Sequence, residues 1–358
     1  MDNNNQFDAS RAEQFAGTLV DTLNKASLTM MISLGHRTGL FDSLVGTQLL
    51  TSQQIADKAN LNERYVREWL GAMTTGSIIE YNDENKTYKF PDEHAVFLTR
   101  QAGADNFALF AQMIPAVAKN EDDLVNCFKN GGGLSYDKFH QFFHIMNDDL
   151  TVIGTFSNQF LPSMNHLTEK LKKGISVLDA GCGTGALLNH LATEFPNSRF
   201  TGLDFTDFAI ELARKEAQDK GLTNVEFELK DLSDFDTTAS DNKYDLIITN
   251  DSIHDQHKPK NVLKGIYKSL KVDGVYLMVD INGTGHVHKD AENPFAPSLY
   301  AISCMHCVPV SIGQGGEGLG AMWGEEKIKE YIADAGFSSV ETKRFPTDPF
   351  NNWFVISK

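Results

Sequence analysis

The stretch Ile175-Ser-Val-Leu-Asp-Ala-Gly-Cys-Gly-Thr-Gly-Ala-Leu-Leu-Asn-His-Leu191 joins a short apolar run, a glycine-rich loop and a helix-forming segment. Residues 175–178 predict a buried strand that ends at Asp179, and residues 186–191 predict a helix. The loop between them contains Gly181, Cys182, Gly183 and Gly185. Glycine lets the backbone turn sharply, and a following helix N-terminus supplies free N–H groups. The stretch therefore predicts a ligand-binding turn in an α/β domain.

Asp179 helps to decide which ligand this loop takes. Gly181, Gly183 and Ala186 also fit the dinucleotide fingerprint, so a dinucleotide-binding domain is the alternative. A carboxylate at the strand end would repel a pyrophosphate, but it would attract an ammonium group. The methionine end of S-adenosylmethionine carries such a group. We therefore favour S-adenosylmethionine as the cofactor.

Two further strands are predicted to end in acids that suit the rest of this cofactor. Residues 200–205 read as a strand, and Asp204 lies 19 residues past Gly185, where such units offer a carboxylate to ribose hydroxyls. Residues 225–229 read as the next strand and lead to an acid and an apolar residue, which suit the edge and face of adenine. The predicted contacts of these two strands are Asp204, Phe205, Asp231 and Leu232.

The order of these features resembles the class I S-adenosylmethionine-dependent methyltransferases, from about residue 174 to the end of the chain. The resemblance implies an α/β fold with a Rossmann-like, doubly wound sheet of seven strands, preceded here by a mostly α-helical region. It also implies S-adenosylmethionine as cofactor. The residues expected to hold it are Asp179, Gly181, Cys182, Gly183, Gly185, Asp204, Phe205, Asp231, Leu232, Asn250 and Tyr136.

Composition limits the function classes. The 358 residues carry 32 Lys and Arg against 48 Asp and Glu, a net charge of −16. So acidic a chain is a poor general binder of nucleic acid or of anionic membranes. Four cysteines do not suggest a disulfide framework, and no apolar run approaches a membrane span. We expect a cytoplasmic enzyme with no nucleic-acid or membrane partner.

The first part of the chain reads as a winged helix. Residues 11–34 show helical apolar spacing, two more helices follow from about residues 51 and 60, and residues 78–81 and 87–90 predict a hairpin. The module resembles the N-terminal region of plant-type small-molecule O-methyltransferases, where it serves dimerisation. That resemblance implies a homodimer. The domains expected are 1–105, a linker at 106–172 that contributes to the active site, and 173–358 with a cap insertion at 282–324.

A winged helix also invites a different class of function, a transcription regulator that senses S-adenosylmethionine. Residues 1–100 carry nine Lys and Arg against thirteen Asp and Glu. A module that reads DNA should present a basic face instead. The charge balance therefore favours an enzyme, and the regulator stays as the alternative.

The linker contains a flexible glycine turn at residues 130–133 followed by aromatic residues. Ordinary core packing accounts for most of these aromatics. We nevertheless predict that the hydroxyl of Tyr136 reaches a polar end of the cofactor. Phe139 and Phe143 are predicted to contact the methyl acceptor.

The catalytic group is expected after the fourth strand, residues 244–249, because active sites of open α/β sheets gather at the carboxyl ends of strands. Asn250, His254 and Asp255 follow that strand, and histidine has a pKa suited to removing a proton. The methyltransferase resemblance places a His-Asp-Trp segment with a general base here; Gln256 replaces the Trp. We predict His254 as base and Asp255 as its partner, with a surface histidine as the alternative.

The insertion at 282–324 resembles a largely uncharacterised group of winged-helix methyltransferases, and Asp348-Pro-Phe-Asn351 is a further match. Its Cys304-Met-His-Cys307 segment lacks the second cysteine pair that structural zinc prefers. A redox pair is a weaker alternative, and no metal is expected. The residues of the insertion predicted to line the acceptor pocket are Cys304, His306, Cys307 and Trp323.

Together these patterns predict transfer of a methyl group from S-adenosylmethionine to a small molecule. Oxygen is the first choice of acceptor atom, because a histidine base is needed most for a hydroxyl. Sulfur or nitrogen is the alternative, since a thiol with a pKa near neutrality needs less help from a base.

Overall fold

The computed structural model describes residues 7–358. The chain divides into two compact units, the first ending at Pro115 and the second spanning Ala116–Lys358. The predicted boundaries, 105 and 172, differ from this division. Residues 116–172 fold with the second unit, because their helices pack against its sheet and against the first helix of the sheet domain. Among residues 7–358, no helix is both long and apolar enough to cross a bilayer.

The first unit is mainly helical, with one short hairpin. Its helices are α1 (Ala9–Arg37), α2 (Leu40–Leu44), α3 (Ser52–Ala59), α4 (Glu63–Thr75), α5 (Asp92–Leu98) and α6 (Phe107–Phe110), and α7 (Met113–Ala118) spans the boundary. The hairpin strands are β1 (Glu80–Asn82) and β2 (Thr87–Lys89), which pair antiparallel. A 3-10 turn covers Arg100–Asp105. The predicted winged helix is present, with slightly shorter strands.

Local sequence explains where these helices begin and how they pack. The Thr51 hydroxyl accepts the N–H of Gln54, and the Gln54 side chain accepts the N–H of Thr51, which forms a capping box at the start of α3. The side chain of Asn62 caps α4 by accepting the N–H of Arg64 at 3.0 Å. Trp69 lies in the core and donates its indole N–H to the carbonyl of Met31 at 2.9 Å, which ties α4 to α1.

Helix α1 leaves an apolar stripe exposed. Its 29 residues correspond to a length of about 43 Å. The large apolar side chains on its surface are Phe15, Leu19, Val20, Leu23, Met30 and Leu34, each 39–68% exposed. Several of them repeat at intervals of four and seven residues, so they share one side of the helix. Exposed apolar stripes of this kind occur at interaction sites of soluble proteins.

The second unit begins with helices and then alternates strands and helices. Its helices are α8 (Glu121–Asn130), α9 (His140–Asp148), α10 (Thr151–Thr155), α11 (Leu161–Ser163), α12 (Asn165–Lys173), α13 (Ala186–Glu194), α14 (Asp207–Asp219), α15 (Phe235–Thr238), α16 (Pro259–Ser269), α17 (Val287–Asp290), α18 (Ala296–Ile302), α19 (Val308–Gly313) and α20 (Glu325–Asp334). Its strands are β3 (Ser176–Ala180), β4 (Arg199–Asp204), β5 (Val225–Leu229), β6 (Tyr244–Asn250), β7 (Leu270–Ile281), β8 (Ser339–Phe345) and β9 (Asp348–Ser357). Shorter 3-10 and π turns cover Tyr136–Phe139, Phe156–Phe160, Ile253–Asp255 and Ser303–Cys307.

These seven strands form one sheet in the order β5-β4-β3-β6-β7-β9-β8. The strands β3 to β7 pair in parallel, and β9 is antiparallel to both β7 and β8. The fold class predicted from the sequence, a helical domain followed along the chain by a doubly wound seven-stranded sheet, is confirmed. Since β3 and β6 are neighbours at the sheet centre, the loops after them meet at one edge.

The core follows from this topology. The β3 and β6 side chains Leu178 and Ile247 pack in one apolar cluster, and their neighbours Val177 and Leu246 pack in another. Alternation along a strand sends successive side chains to opposite faces, and helices cover both. The polar residues at the carboxyl ends of these strands are therefore held by a rigid, fully covered sheet.

Candidate active site

The glycine loop lies between β3 and α13, as predicted. At Gly185, φ is +71° and a Cβ would come within 2.5 Å of the Phe227 ring, so this glycine is required by packing. At Gly183, φ is +51° and no atom of the described chain lies within 4 Å of where a Cβ would be. Gly183 therefore presents backbone to open space, where a ligand can approach.

Asp179 lies beside this loop as a buried carboxyl group without a donor. It is 3% exposed, and within residues 7–358 its Oδ1 atom has no hydrogen-bond partner. Burial, reinforced by the nearby charge of Asp204, raises the pKa of Asp179 to about 8. An ammonium group placed here would supply both the missing donor and the missing charge.

Asp204 ends β4 and faces the same loop. Its Oδ2 atom accepts the N–H of Gly183 at 2.9 Å, and its Oδ1 atom accepts the N–H of Thr206 at 2.8 Å. Burial raises the pKa of Asp204, and these two backbone bonds oppose the increase. Each carboxylate oxygen has a further lone pair, so the group can still accept a hydroxyl.

The other predicted cofactor residues are near strand ends but differ in exposure. Phe205 is 36% exposed and packs edge-on against Tyr136, with ring centroids 5.5 Å apart. Asp231 is exposed, whereas Leu232 is buried in the core below it. Asn250 ends β6, and its side-chain oxygen is buried without a donor from any described residue. The half-buried Cys182 side chain packs against the core on one side of the loop.

His254 lies in the 3-10 turn Ile253–Asp255 after β6 and is 2% exposed. Its Nδ1–H donates to Oδ1 of Asp280 at 2.9 Å, because a carboxylate can only accept. Burial alone would lower the pKa of His254, but the charges of Asp280 and Asp255 outweigh it and hold that pKa well above its ordinary value. A neutral imidazole in this setting binds a proton strongly.

Asp280 is a candidate functional residue that the sequence analysis did not name. It is fully buried near the end of β7, next to the end of β6 in the sheet. Its Oδ1 atom accepts three hydrogen bonds, from His254, from the N–H of Ile281 at 2.9 Å and from the indole of Trp323 at 3.1 Å. The available signal was an acid near the end of an apolar strand that neighbours β6. The indole of Trp323 thus helps to hold Asp280 in place, and its predicted place in the acceptor pocket stays a prediction.

Asp255 lies on the other side of the imidazole. Its Oδ1 atom is 3.6 Å from Nε2 of His254. Its Oδ2 atom accepts the Tyr136 hydroxyl at 3.3 Å. The structure thus adds a contact to Asp255, and the contact of this hydroxyl with the cofactor stays a prediction. Burial, followed by the charge of Asp255, raises the pKa of Tyr136 well above its ordinary value, so the hydroxyl stays protonated as a donor.

Asp251 adds a further, half-buried acid between Asn250 and the histidine. Its φ of +46° is in the left-handed region, which aspartate tolerates better than most residues. Burial, with the charge of Asp280, raises the pKa of Asp251 well above its ordinary value. The end of β6 is thus rich in acidic and amide oxygens.

An aromatic group surrounds His306. The ring stacks on Phe142 at 4.1 Å and meets Phe139 and Tyr136 edge-on at 4.7 and 5.4 Å. His306 is 1% exposed, and neither ring nitrogen has a partner among residues 7–358. Burial lowers the pKa of His306 to about 4, so the ring is neutral with one donor and one acceptor nitrogen. Phe143 is also buried and packs on Tyr136 at 5.1 Å.

The two cysteines of the insertion have different surroundings. Cys304 and Cys307 both lie in the π turn Ser303–Cys307. Cys304 is exposed, and its predicted place in the acceptor pocket stays a prediction. Cys307 is buried close to His254, and burial raises the pKa of its thiol to about 12.

Two family models match the chain. Residues 26–100 match a model described as an Rv2258c-like winged HTH domain, and residues 171–336 match a model of a methyltransferase domain. The chain belongs to the class of proteins that join a winged helix-turn-helix domain to an S-adenosylmethionine-dependent methyltransferase domain. The predicted class and its cofactor are confirmed.

Solved structures share this fold over nearly the whole chain. An O-methyltransferase family protein from Burkholderia thailandensis aligns with a TM-score of 0.67 at 15% identity, covering 96% of this chain and 98% of that one. Human N-acetylserotonin methyltransferase, in complex with SAM, aligns with a TM-score of 0.65 at 15% identity, covering 99% of each chain. At such low identity these likenesses concern the fold.

Curated relatives align with only a portion of the chain. A malonyl-[acyl-carrier protein] O-methyltransferase from Bacillus cereus is 28% identical over 150 residues, which is 41% of this chain and 49% of that protein. The chain thus spans about half the length of this relative. The alignment covers too little of either protein to assign an acceptor to this chain.

Proposed function

We propose that this chain transfers a methyl group from S-adenosylmethionine to the hydroxyl of a small aromatic molecule. The observation that carries the proposal is the buried His254, held at Nδ1 by Asp280 and facing Asp255 through Nε2. A hydroxyl is protonated at neutral pH, so its methylation gains most from a base at the reacting oxygen.

The residues around the glycine loop fit the cofactor. The donor-less oxygen of Asp179 suits the ammonium of its amino acid, the open backbone at Gly183 leaves room for it, and Asp204 can accept ribose hydroxyls. Asn250 offers a further buried acceptor. Bound S-adenosylmethionine supplies an electrophilic methyl group on a positively charged sulfur.

His254 is proposed as the general base. In the neutral ring Nδ1 donates to Asp280, so Nε2 is the nitrogen that carries the lone pair. Nε2 would take the proton from the acceptor hydroxyl, and Asp280 and Asp255 would stabilise the imidazolium that forms. Trp323 and the backbone of Ile281 keep Asp280 in position. The proton then leaves to solvent when the product departs.

The aromatic group around His306 is proposed to hold the acceptor. Phe139, Phe142 and Tyr136 offer flat apolar faces, which suit a planar ring. The two unpartnered nitrogens of His306 would give a polar substituent of that ring a donor or an acceptor. A methylation screen of hydroxylated aromatics, carboxylates, amines and thiols tests this proposal. Aromatic hydroxyls should react fastest, and activity limited to amines or thiols would refute it.

The pKa of Asp179 leads to a prediction about cofactor binding. The group is protonated at pH 7 in the free protein and would be ionised beside an ammonium. Binding should therefore release about one proton at pH 7, and affinity should rise with pH until about 8. Calorimetry in two buffers of different ionisation enthalpy measures the released proton.

The matched variant is Asp179→Asn. It should bind S-adenosylmethionine roughly tenfold or more weakly, since hydrogen bonds to charged groups contribute about 1.5–3 kcal/mol. The substitution should also abolish the release of a proton on cofactor binding. As a control, Asp219→Ala changes an exposed acid at the far end of α14 and should leave both quantities unchanged. Proton release that persists in Asp179→Asn would refute the assignment of the ammonium site.

We also propose that a second copy of this chain covers the exposed stripe of α1. The stripe is apolar, and contact with the same stripe of a second copy would remove its side chains from water. Light scattering should give twice the mass of one chain. The double variant Leu19→Glu and Leu23→Glu should shift the mass toward the monomer, because it places charge in the stripe.

Val272→Glu is the control for this variant, because Val272 is an exposed apolar residue of the sheet domain. It should leave the mass unchanged. A monomer at every concentration of the unmodified protein would contradict the dimer.

A further inference from the structure

Three potential metal ligands from two distant segments meet in the buried site. They are Nε2 of His254, Oδ1 of Asp255 and Sγ of Cys307, and the three atoms all lie within 4.8 Å of one another. All three residues are buried. The sequence analysis considered only the neighbours of Cys307 along the chain and expected no metal. The fold brings that cysteine to a histidine more than fifty residues away.

Neighbouring residues occupy the other polar atom of two of these side chains. Asp280 accepts the Nδ1–H of His254 at 2.9 Å, which leaves the Nε2 lone pair directed away from it. The Tyr136 hydroxyl donates to Oδ2 of Asp255, which leaves Oδ1 available. A carboxylate on the remote nitrogen of a ligating histidine is the usual outer support of zinc sites.

One buried oxygen of this cluster lacks a partner. Nε2 of His254 and Oδ1 of Asp255 lie 3.6 Å apart, and Oδ1 has no hydrogen-bond donor among the described residues. A buried carboxylate oxygen without a donor is costly, and a cation bound beside it would supply the missing partner.

We propose that His254, Asp255 and Cys307 form a binding site for one Zn²⁺ ion. Imidazole nitrogen, carboxylate oxygen and thiolate sulfur are the donors that zinc prefers, and three protein ligands leave a fourth position for water or another small ligand. Calcium and magnesium prefer sites made of oxygen atoms, which a thiol and an imidazole do not provide. On binding, the thiol proton of Cys307 passes to solvent and a sulfur–zinc bond forms.

Zinc and the proposed base compete for one lone pair. A zinc ion on Nε2 prevents His254 from accepting a proton, so the zinc-bound form would be inactive if the proposed function is right. That consequence rests on the proposed function, whereas zinc binding itself does not. The site is therefore tested by metal binding alone.

The experiment is a titration of the metal-free full-length protein with Zn²⁺ against a chelating indicator, followed by the same titration with Co²⁺. One equivalent of zinc should bind, and Co²⁺ should give the sulfur-to-cobalt charge-transfer absorption of a thiolate ligand. Cys307→Ala should weaken binding by more than about 100-fold, because even changes to outer support residues cost 10–100-fold. It should also remove the charge-transfer band.

Cys304→Ala is the matched control, because this exposed cysteine lies in the same π turn. It should bind zinc like the unmodified chain. Asp255→Asn provides a second variant if Cys307→Ala does not fold, and it should also weaken binding. The exposed rings of His286 and His288 lie 5.8 Å apart and form the alternative zinc site. If the double variant His286→Ala and His288→Ala loses zinc binding while Cys307→Ala keeps it, the proposal is overturned. Absence of stoichiometric binding, or equal binding by Cys307→Ala, would overturn it as well.

Discussion

Replacing His254 with alanine should lower the turnover of a hydroxyl acceptor by roughly 10²–10⁴-fold, the usual contribution of general base catalysis. The buried imidazole is held by Asp280 at 2.9 Å and has Asp255 3.6 Å from its other nitrogen. Alanine removes the group that would take the hydroxyl proton while the methyl group transfers. The effect should fall on kcat, measured with labelled S-adenosylmethionine.

The size of this loss should depend on the acceptor atom. A thiol with a pKa near 8.5 is already partly ionised at neutral pH, so it needs little help from a base. His254→Ala should therefore slow methylation of a thiol acceptor only slightly, and raising the pH should restore the activity that is lost. Cofactor affinity should change little, because the glycine loop and its acids lie on other strands.

His288→Ala is the control, since this histidine is exposed in the insertion. It should keep the turnover of the unmodified protein. An unchanged turnover of His254→Ala on a hydroxyl acceptor would remove this residue from the mechanism and leave methyl transfer to alignment alone.

Asp280→Asn should reduce turnover by roughly 10²-fold or more. This loss lies near the lower end of the range expected when the base itself is removed. Asp280 accepts three hydrogen bonds through Oδ1, and the one from Nδ1–H of His254 leaves the lone pair on Nε2. An amide that turned its NH₂ group toward the imidazole would stabilise the opposite tautomer, with the proton on Nε2. It would also remove the negative charge that stabilises the imidazolium.

The Asn substitution preserves shape, so the loss should appear in kcat with little change in the thermal unfolding midpoint. Trp323→Phe is a graded comparison, because it removes one of the three donors to Asp280 and keeps an aromatic ring in the core. It should cost only a few-fold in turnover. An unchanged turnover of Asp280→Asn would contradict the positioning role. A decrease in turnover that unfolding of the variant fully explains would contradict it as well.

The parts of the site that come from one continuous segment were predictable. The strand–loop–helix unit around Gly183 was predicted from local chemistry, because strand, turn and helix signals follow one another along the chain. Asp204 and His254 were predicted because each follows an apolar strand, and parallel strands place their carboxyl ends at one edge. The order of the strands in the sheet agrees with that prediction.

The parts built from distant segments were not predictable. The bond between Asp280 and His254 depends on β6 and β7 being neighbours, and the Tyr136 contact with Asp255 joins residues 119 positions apart. Cys307 reaches the site through an insertion whose path the sequence does not specify. Trp323 was assigned to the acceptor from its position near the end of that insertion, and its indole also donates to Asp280. Side-chain partners of this kind are set by tertiary packing rather than by local pattern.

The most direct test is to locate the transferred methyl group by nuclear magnetic resonance. The full-length protein would be incubated with S-adenosylmethionine carrying ¹³C in its methyl group, together with the fastest acceptor of the screen. The proposed function predicts a labelled methyl ether on an aromatic ring, formed by the unmodified protein and nearly absent with His254→Ala. A label found only on sulfur or nitrogen, or an equal yield of methyl ether from His254→Ala, would contradict it.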